Sequence, residues 1–136
     1  MITEAPAQFT RQLNALAEGV RDALRAKGHR FSATEGVRVA FCSKYGVENG
    51  ILGSFSWQVP NEILLAPPPS EVLTDFWAQE ICSTYVHELH HRWQYQRWGL
   101  VKYALCAIPF LRNWTLEASA KAIELEADRL LGTEKE

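Results

Sequence analysis

The chain has no dense block of basic residues, no closely spaced cysteine pair and no apolar run long enough to span a bilayer, and each absence removes a class of function. Its positive residues (Arg11, Arg21, Arg25, Lys27 and Arg30, then Arg92, Arg97, Lys102 and Arg112) are dispersed and the formal net charge is -2, so nucleic acid is not an expected partner. The cysteines Cys42, Cys82 and Cys106 are odd in number and far apart, which fits reduced, buried thiols rather than a disulfide framework. The most apolar stretch, LVKYALCAIPFL at 100 to 111, is too short for a membrane helix and is interrupted by Lys102 and Pro109. It reads as core, and membrane contact is not expected. The opening segment MITEAPAQFTRQLNALAEGV is broken by Glu4, Arg11 and Glu18, so it lacks the layout of a secretory signal and a cytoplasmic location is expected. Histidine is scarce too: His29, His87, His90 and His91 are all there are, and none follows His91.

With 136 residues, 47% of them hydrophobic and 22% charged, the chain is sized for a single domain, 1–136, that buries one core. Leu13, Leu16, Val20 and Leu24 recur at three- and four-residue intervals, so residues 7 to 27 are expected to form a packing helix that stops at Gly28. β-branched and aromatic residues set between turn formers predict three short strands, Val37 to Ser43, Ile51 to Gln58 and Glu62 to Ala66. Asn49-Gly50 and Pro60-Asn61 supply the turns. Pro67 to Pro69 cannot continue a sheet, and Ser70 or Thr74 can cap a long helix that reaches Trp98 before Gly99 stops it. Its buried stripe is Cys82, Val86, Leu89 and Trp93. A further helical segment, 100 to 108, is expected to end at Pro109. The last helix runs from about Thr115 to Leu131, with Leu116, Ala120, Ile123, Ala127 and Leu130 inward. The tryptophans Trp57, Trp77, Trp93, Trp98 and Trp114 read as core. The pattern as a whole predicts an α+β fold.

Chemistry concentrates in TYVHELHHRWQYQ, where His87 and His91 lie one helical turn apart on one face and both imidazoles can reach one ion. A catalytic zinc takes three protein ligands, keeps a position for water, and has a carboxylate near that water to accept its proton. Glu88, directly after the first histidine, fits the last role. With no later histidine, the third ligand has to be a carboxylate of the last helix, which offers Glu117, Glu124, Glu126 and Asp128. Glu124 with Asp128 four residues on is the preferred pair, Glu124 as ligand and Asp128 placed to orient His87 or His91. Glu117 then reads as a first-turn residue favoured by the helix dipole or paired with Lys121, and Glu126 as solvated. By the same angles His90 points away from the pair and is expected to face solvent or to stand behind it.

HELHH followed by ELEAD resembles the gluzincins, thermolysin-like zinc peptidases in which a His-Glu-x-x-His helix is completed by a glutamate from a Glu-x-x-x-Asp helix. The form AIELEADRL is especially similar to peptidases of the HtpX and CAAX-processing type. In size and order of elements the chain looks more like the minimal soluble gluzincins or a cytosolic SprT-like zincin. The likeness covers roughly residues 50 to 131 in element order and is specific in those two motifs. It implies a zincin-like domain: a small sheet, an N-terminal packing helix, an active-site helix and a C-terminal glutamate-bearing helix. It also implies one Zn2+ per chain held by His87, His91 and Glu124, and a peptide substrate extended along a sheet edge within GSFSWQVPNEILLA. Peptide bonds would be cut by zinc-activated water with Glu88 as general base. A second donor to the developing oxyanion would come from Tyr103, Tyr95 or Arg112.

Two other functions use the same residues. One is a zinc-binding interaction module without catalysis, for example in a phage or toxin assembly. The other is a helical interaction protein whose histidines are surface residues. Two histidines and a carboxylate also suit iron, although a glutamate between the histidines favours hydrolysis over oxygen chemistry.

Overall fold

In the computed structural model of the chain, which describes residues 1–69, 74–112 and 116–133, the N-terminal spacing becomes helix α1 (Ala7–Ala26). Its buried stripe is Phe9, Leu13, Ala17, Val20 and Leu24. Each large side chain removed from water contributes roughly 1.5–3 kcal/mol, so this stripe, more than helix propensity, holds α1 in place. Facing it are Cys82, Val86 and Leu89 of α2 (Thr74–Cys106) and Ile123 and Ala127 of α4 (Ala118–Leu131). Ser70, one of the expected helix caps, and Trp114 and Thr115 lie outside the described residues.

The fold is α+β, with a four-stranded mixed sheet in the order β1-β2-β4-β3. Strands β2 (Arg38–Cys42), β3 (Gly53–Phe55) and β4 (Glu62–Leu65) fall inside the three predicted segments. The fourth strand, β1 (Ile2–Glu4), was not expected; it is exposed at every position and so carries no burial pattern to announce it. β2 and β4 pair in parallel, Val39 against Ile63 and Phe41 against Leu65, and those inward side chains join the core. β3 runs antiparallel to β4 with Gly53 opposite Leu65, which leaves β3 at the sheet edge. Its other neighbour is α2, and Gly53 is what lets them meet. A Cβ there would lie 2.8 Å from Thr84 Cγ2 and 3.3 Å from Glu88 Cγ.

Gly99 interrupts α2 with φ 81 and ψ 170, a left-handed conformation that glycine adopts without strain. The chain resumes as helix to Cys106, as expected, and Tyr103 of this part is buried. That helix stops short of Pro109, and the proline does more than end it. It opens α3 (Pro109–Arg112), in the first-turn position where its missing N–H costs nothing. Leu116, just before α4, and Ala120, Ile123 and Ala127 on it face inward as predicted, but Leu130 is 42% exposed. Leu131 makes the last-turn contact instead, and its carbonyl accepts from Gln79 Nε2 at 2.8 Å just before Gly132 ends the helix.

A buried arginine ties the loops to α2. Arg92 donates from Nε to the Pro60 carbonyl at 2.9 Å, from Nη1 to Ser32 Oγ and the Ala33 carbonyl at 3.0 Å, and from Nη2 to Asn61 Oδ1 at 3.0 Å. No helix among the described residues is long and apolar enough to cross a membrane. Cys42 and Cys82 are buried thiols and Cys106 is half-buried. Trp77 is core, its indole N–H donating to the Ala66 carbonyl at 2.9 Å, whereas Trp57, Trp93 and Trp98 are only half-buried.

Candidate metal centre

Helix α2 projects His87, Glu88 and His91 into the interior between β3 and α4. All three are buried, and each brings a ligand-type atom within 4.8 Å of the others. The one-turn spacing sets the imidazoles side by side with ring centroids 4.9 Å apart. Glu88 is almost fully removed from water, and burial pushes its carboxyl above the ordinary carboxylate range against the pull of the two histidines.

Two carboxylates arrive from the α4 segment, where one was expected. Glu124 Oε1 lies 2.7 Å from His87 Nδ1. Glu117 Oε1 lies 2.5 Å from His91 Nε2 and 3.7 Å from His87 Nε2, so it is the carboxylate that both histidines share. It is also the more enclosed, with a side chain 17% exposed against 35% for Glu124. Among the described residues Glu117 makes no ion pair with Lys121; its cationic neighbour is Arg112, whose Nη2 is 3.9 Å from Oε1. The expectation of a first-turn Glu117, favoured by the helix dipole or paired with Lys121 at the surface, therefore gives way to a glutamate turned inward.

Asp128 stands elsewhere. Its Oδ1 accepts the Thr133 hydroxyl at 2.7 Å, and among the described residues it contacts neither His87 nor His91. Nor is Glu126 merely solvated: it pairs with Lys27 at 2.8 Å and Arg129 at 3.0 Å, and so fastens α4 to α1. His90 is 5% exposed and does not face solvent. Its Nδ1 meets the Arg30 carbonyl at 2.5 Å and its Nε2 meets Ser119 Oγ at 2.8 Å, which joins α2 to the chain after α1 and to α4.

The cluster is charged and incompletely bonded. His87 Nδ1, His91 Nε2 and Glu117 Oε1 are buried with no directed hydrogen bond, although atoms of opposite charge lie at ion-pair distance. Burial alone works to lower the pKa of His87, but Glu117 and Glu124 outweigh it and raise it to about 10. His87 and His91 in turn hold Glu117 well below the usual carboxylate range. Charges buried this way are costly to desolvate even when paired, and a bound cation would give these poorly directed atoms a common partner. Two donors on one tetrahedral zinc stand about 3.3 Å apart, given bonds of about 2.0–2.1 Å. The separations of Glu117 Oε1 from the histidines, 2.5 and 3.7 Å, bracket that value. The donor set fits a divalent cation.

Two of the three groups expected to assist, Tyr103 and Arg112, lie beside it, and Tyr95 packs against Tyr103. Tyr103 is buried with its ring edge-on to Phe55 and Tyr95, at centroid distances of 6.0 and 5.8 Å. Burial raises its phenol far above the ordinary range, with Glu88 and Glu117 adding to the effect, so it stays protonated and able to donate. Comparison with protein-family models, with curated proteins and with solved structures finds no match for this chain.

Proposed function

We propose that the chain is a metal-dependent hydrolase of zincin-like type, a zinc peptidase in which His87, His91 and Glu117 hold the ion and Glu88 is the general base. One observation carries this reading: two buried histidines and two glutamates from two helices converge, at ion-pair distance from one another, beside a buried glutamate. Glu117 is preferred to Glu124 as third ligand because its Oε1 addresses both histidines, whereas Glu124 addresses only His87, at Nδ1. Glu124 then orients His87 from the ring's far side, as carboxylates behind ligating histidines commonly do.

Bound there, zinc would polarise a substrate carbonyl and lower the pKa of water. Glu88, its carboxyl biased toward the protonated form by burial, accepts a proton readily and returns it to a leaving amine. Tyr103, held protonated beside Glu88 and Glu117, and Arg112, 3.9 Å from Glu117, are the donors that would meet the developing negative charge. The free edge of β3, held against α2 beside Glu88, suits an extended peptide added as a further strand.

Elemental analysis of the purified chain and its variants, with a peptide-library cleavage assay, tests the proposal. About one zinc per chain is expected in the wild type and in Glu88→Gln, with cleavage reduced by about 100-fold or more in the latter. His91→Ala and Glu117→Ala should lose the metal, and Glu124→Ala should weaken it by about 10–100-fold. The reverse pattern for the two glutamates would return the third ligand to Glu124. No metal in the wild type after zinc supplementation would remove the enzyme reading. Metal without cleavage would leave a binding module.

A further inference from the structure

His91 offers its two ring nitrogens to different surroundings. Nε2 faces Glu117, and Nδ1 lies 2.8 Å from Gln94 Oε1. An amide oxygen only accepts, so Nδ1 must carry the proton, provided that Gln94 is held this way round. It is. Gln94 Nε2 donates to the Leu116 carbonyl at 3.2 Å and to Ser119 Oγ at 3.1 Å, and exchanging the amide atoms would set oxygen against the carbonyl oxygen.

The chain of donors continues without conflict. Ser119, having accepted from Gln94, has its own hydroxyl proton free for His90 Nε2 at 2.8 Å. His90 Nε2 can accept because His90 Nδ1 faces the Arg30 carbonyl at 2.5 Å, and that oxygen can only accept. Backbone carbonyls at Arg30 and Leu116 thus fix every proton between them. Gln94, 1% exposed, also grips the residues on both sides of Glu117, through the Leu116 carbonyl and the Ser119 hydroxyl.

We infer that Gln94, backed by Ser119 and His90, is a positioning residue that locks His91 as the Nδ1–H tautomer and sets its Nε2 lone pair and Glu117 toward a common point. This rests on the proposed metal reading only in the use made of that lone pair. The Nδ1 proton itself is a property of the protein with or without the ion; in the metal-free chain Nε2, 2.5 Å from Glu117 Oε1, shares a second proton with that carboxylate, which the ion would displace. No sequence motif marks Gln94, yet its place three residues after His91 on α2 puts it within reach of the same ring.

Long-range ¹H–¹⁵N imidazole spectra, taken of the metal-free chain at alkaline pH and of the zinc-loaded chain, read the tautomers directly. The expected result is a proton on Nδ1 of both His90 and His91. In Gln94→Leu and in the milder Ser119→Ala, His91 should become a mixture of tautomers, and zinc affinity should fall by about 10–100-fold. Gln94→Glu keeps an acceptor toward Nδ1 and should keep the Nδ1–H form, while the second carboxylate oxygen, set against the Leu116 carbonyl, loosens the hold on the Glu117 segment. A wild-type His91 with no proton on Nδ1, or an unchanged Nδ1–H in Gln94→Leu whose circular dichroism shows it folded, would overturn the inference. Should the wild type show the Nδ1–H form and its loss in Gln94→Leu but bind no zinc, the relay stands and the metal reading falls.

Discussion

Burial gives His90 a role that its place between two candidate ligands would not suggest. Its imidazole sits among His91, His87 and His29 and is held neutral, burial first and those neighbours second lowering its pKa to about 4. In the unfolded chain it returns to about 6.5. The folded state therefore binds this proton more weakly than the unfolded state does. The contribution of a neutral His90 to stability is complete above about pH 6.5 and is lost as pH falls from there toward 4, on the order of 3 kcal/mol at the limit. Denaturation of the metal-free chain between pH 7 and 4 should show this slope, and His90→Gln, which cannot titrate, should be flatter over the same window. Equal slopes would remove the assignment. Residues of this kind were the least legible in the sequence. His87, Glu88 and His91 are marked by their spacing alone, whereas Glu117 was passed over in favour of the Glu-x-x-x-Asp pattern. Yet Glu117 and Glu124 are seven residues apart, and seven residues bring a helix back to within about 20° of the same direction. The signal was helical phase, not a motif. Leu116 and Glu117 also sit in a wider, π-type turn at the entry to α4, which no residue pattern foretells.

Elements were read more easily where burial is one-sided. The stripe of α1, the Gly99 interruption and the limits of β4 follow from period and punctuation, because a buried face imposes them. β1 has no buried face, and the parallel pairing of β2 with β4 depends on where β3 goes, which no local pattern contains. What sets β3 against α2 is the missing side chain at Gly53. An added Cβ would lie 2.8 Å from Thr84 Cγ2, 3.1 Å from Leu65 Cδ2 and 3.3 Å from Glu88 Cγ. Thr84 is β-branched and stiff on its helix, so the strand must yield rather than the side chain. Gly53→Ala should cost about 1–3 kcal/mol in denaturant unfolding, the usual range for overpacking. Cleavage should suffer more than stability does, because Glu88 is one of the groups displaced. Thr84→Ser removes the nearest atom and should recover most of the loss in the double variant, a coupling that a mutant cycle measures. If Gly53→Ala unfolds at the same denaturant concentration as the wild type, the close approach of β3 to α2 is not what positions the strand.

At the scale of the molecule, the candidate centre is where α2 and α4 bury charge between them. α2 and α4 pack through Val86, Leu89, Ile123 and Ala127, but beside this apolar contact they press two histidines and three glutamates into one interior. Without an ion, part of the hydrophobic gain offsets that clustering; with one, the same groups become a crosslink between helices distant in sequence. Binding to the folded chain alone adds RT ln(1 + [L]/Kd), about 2.7 kcal/mol at a free ion concentration of 100 times Kd. For a domain of this size that corresponds to a rise in Tm of roughly 10 °C. The rise should scale with zinc concentration, reverse with a chelator, and vanish in His91→Ala and Glu117→Ala while Glu88→Gln keeps it. Glu88 separates folding from chemistry because a general base need not hold the ion. A wild-type Tm indifferent to both zinc and chelator would mean that the histidines and glutamates neutralise one another unaided.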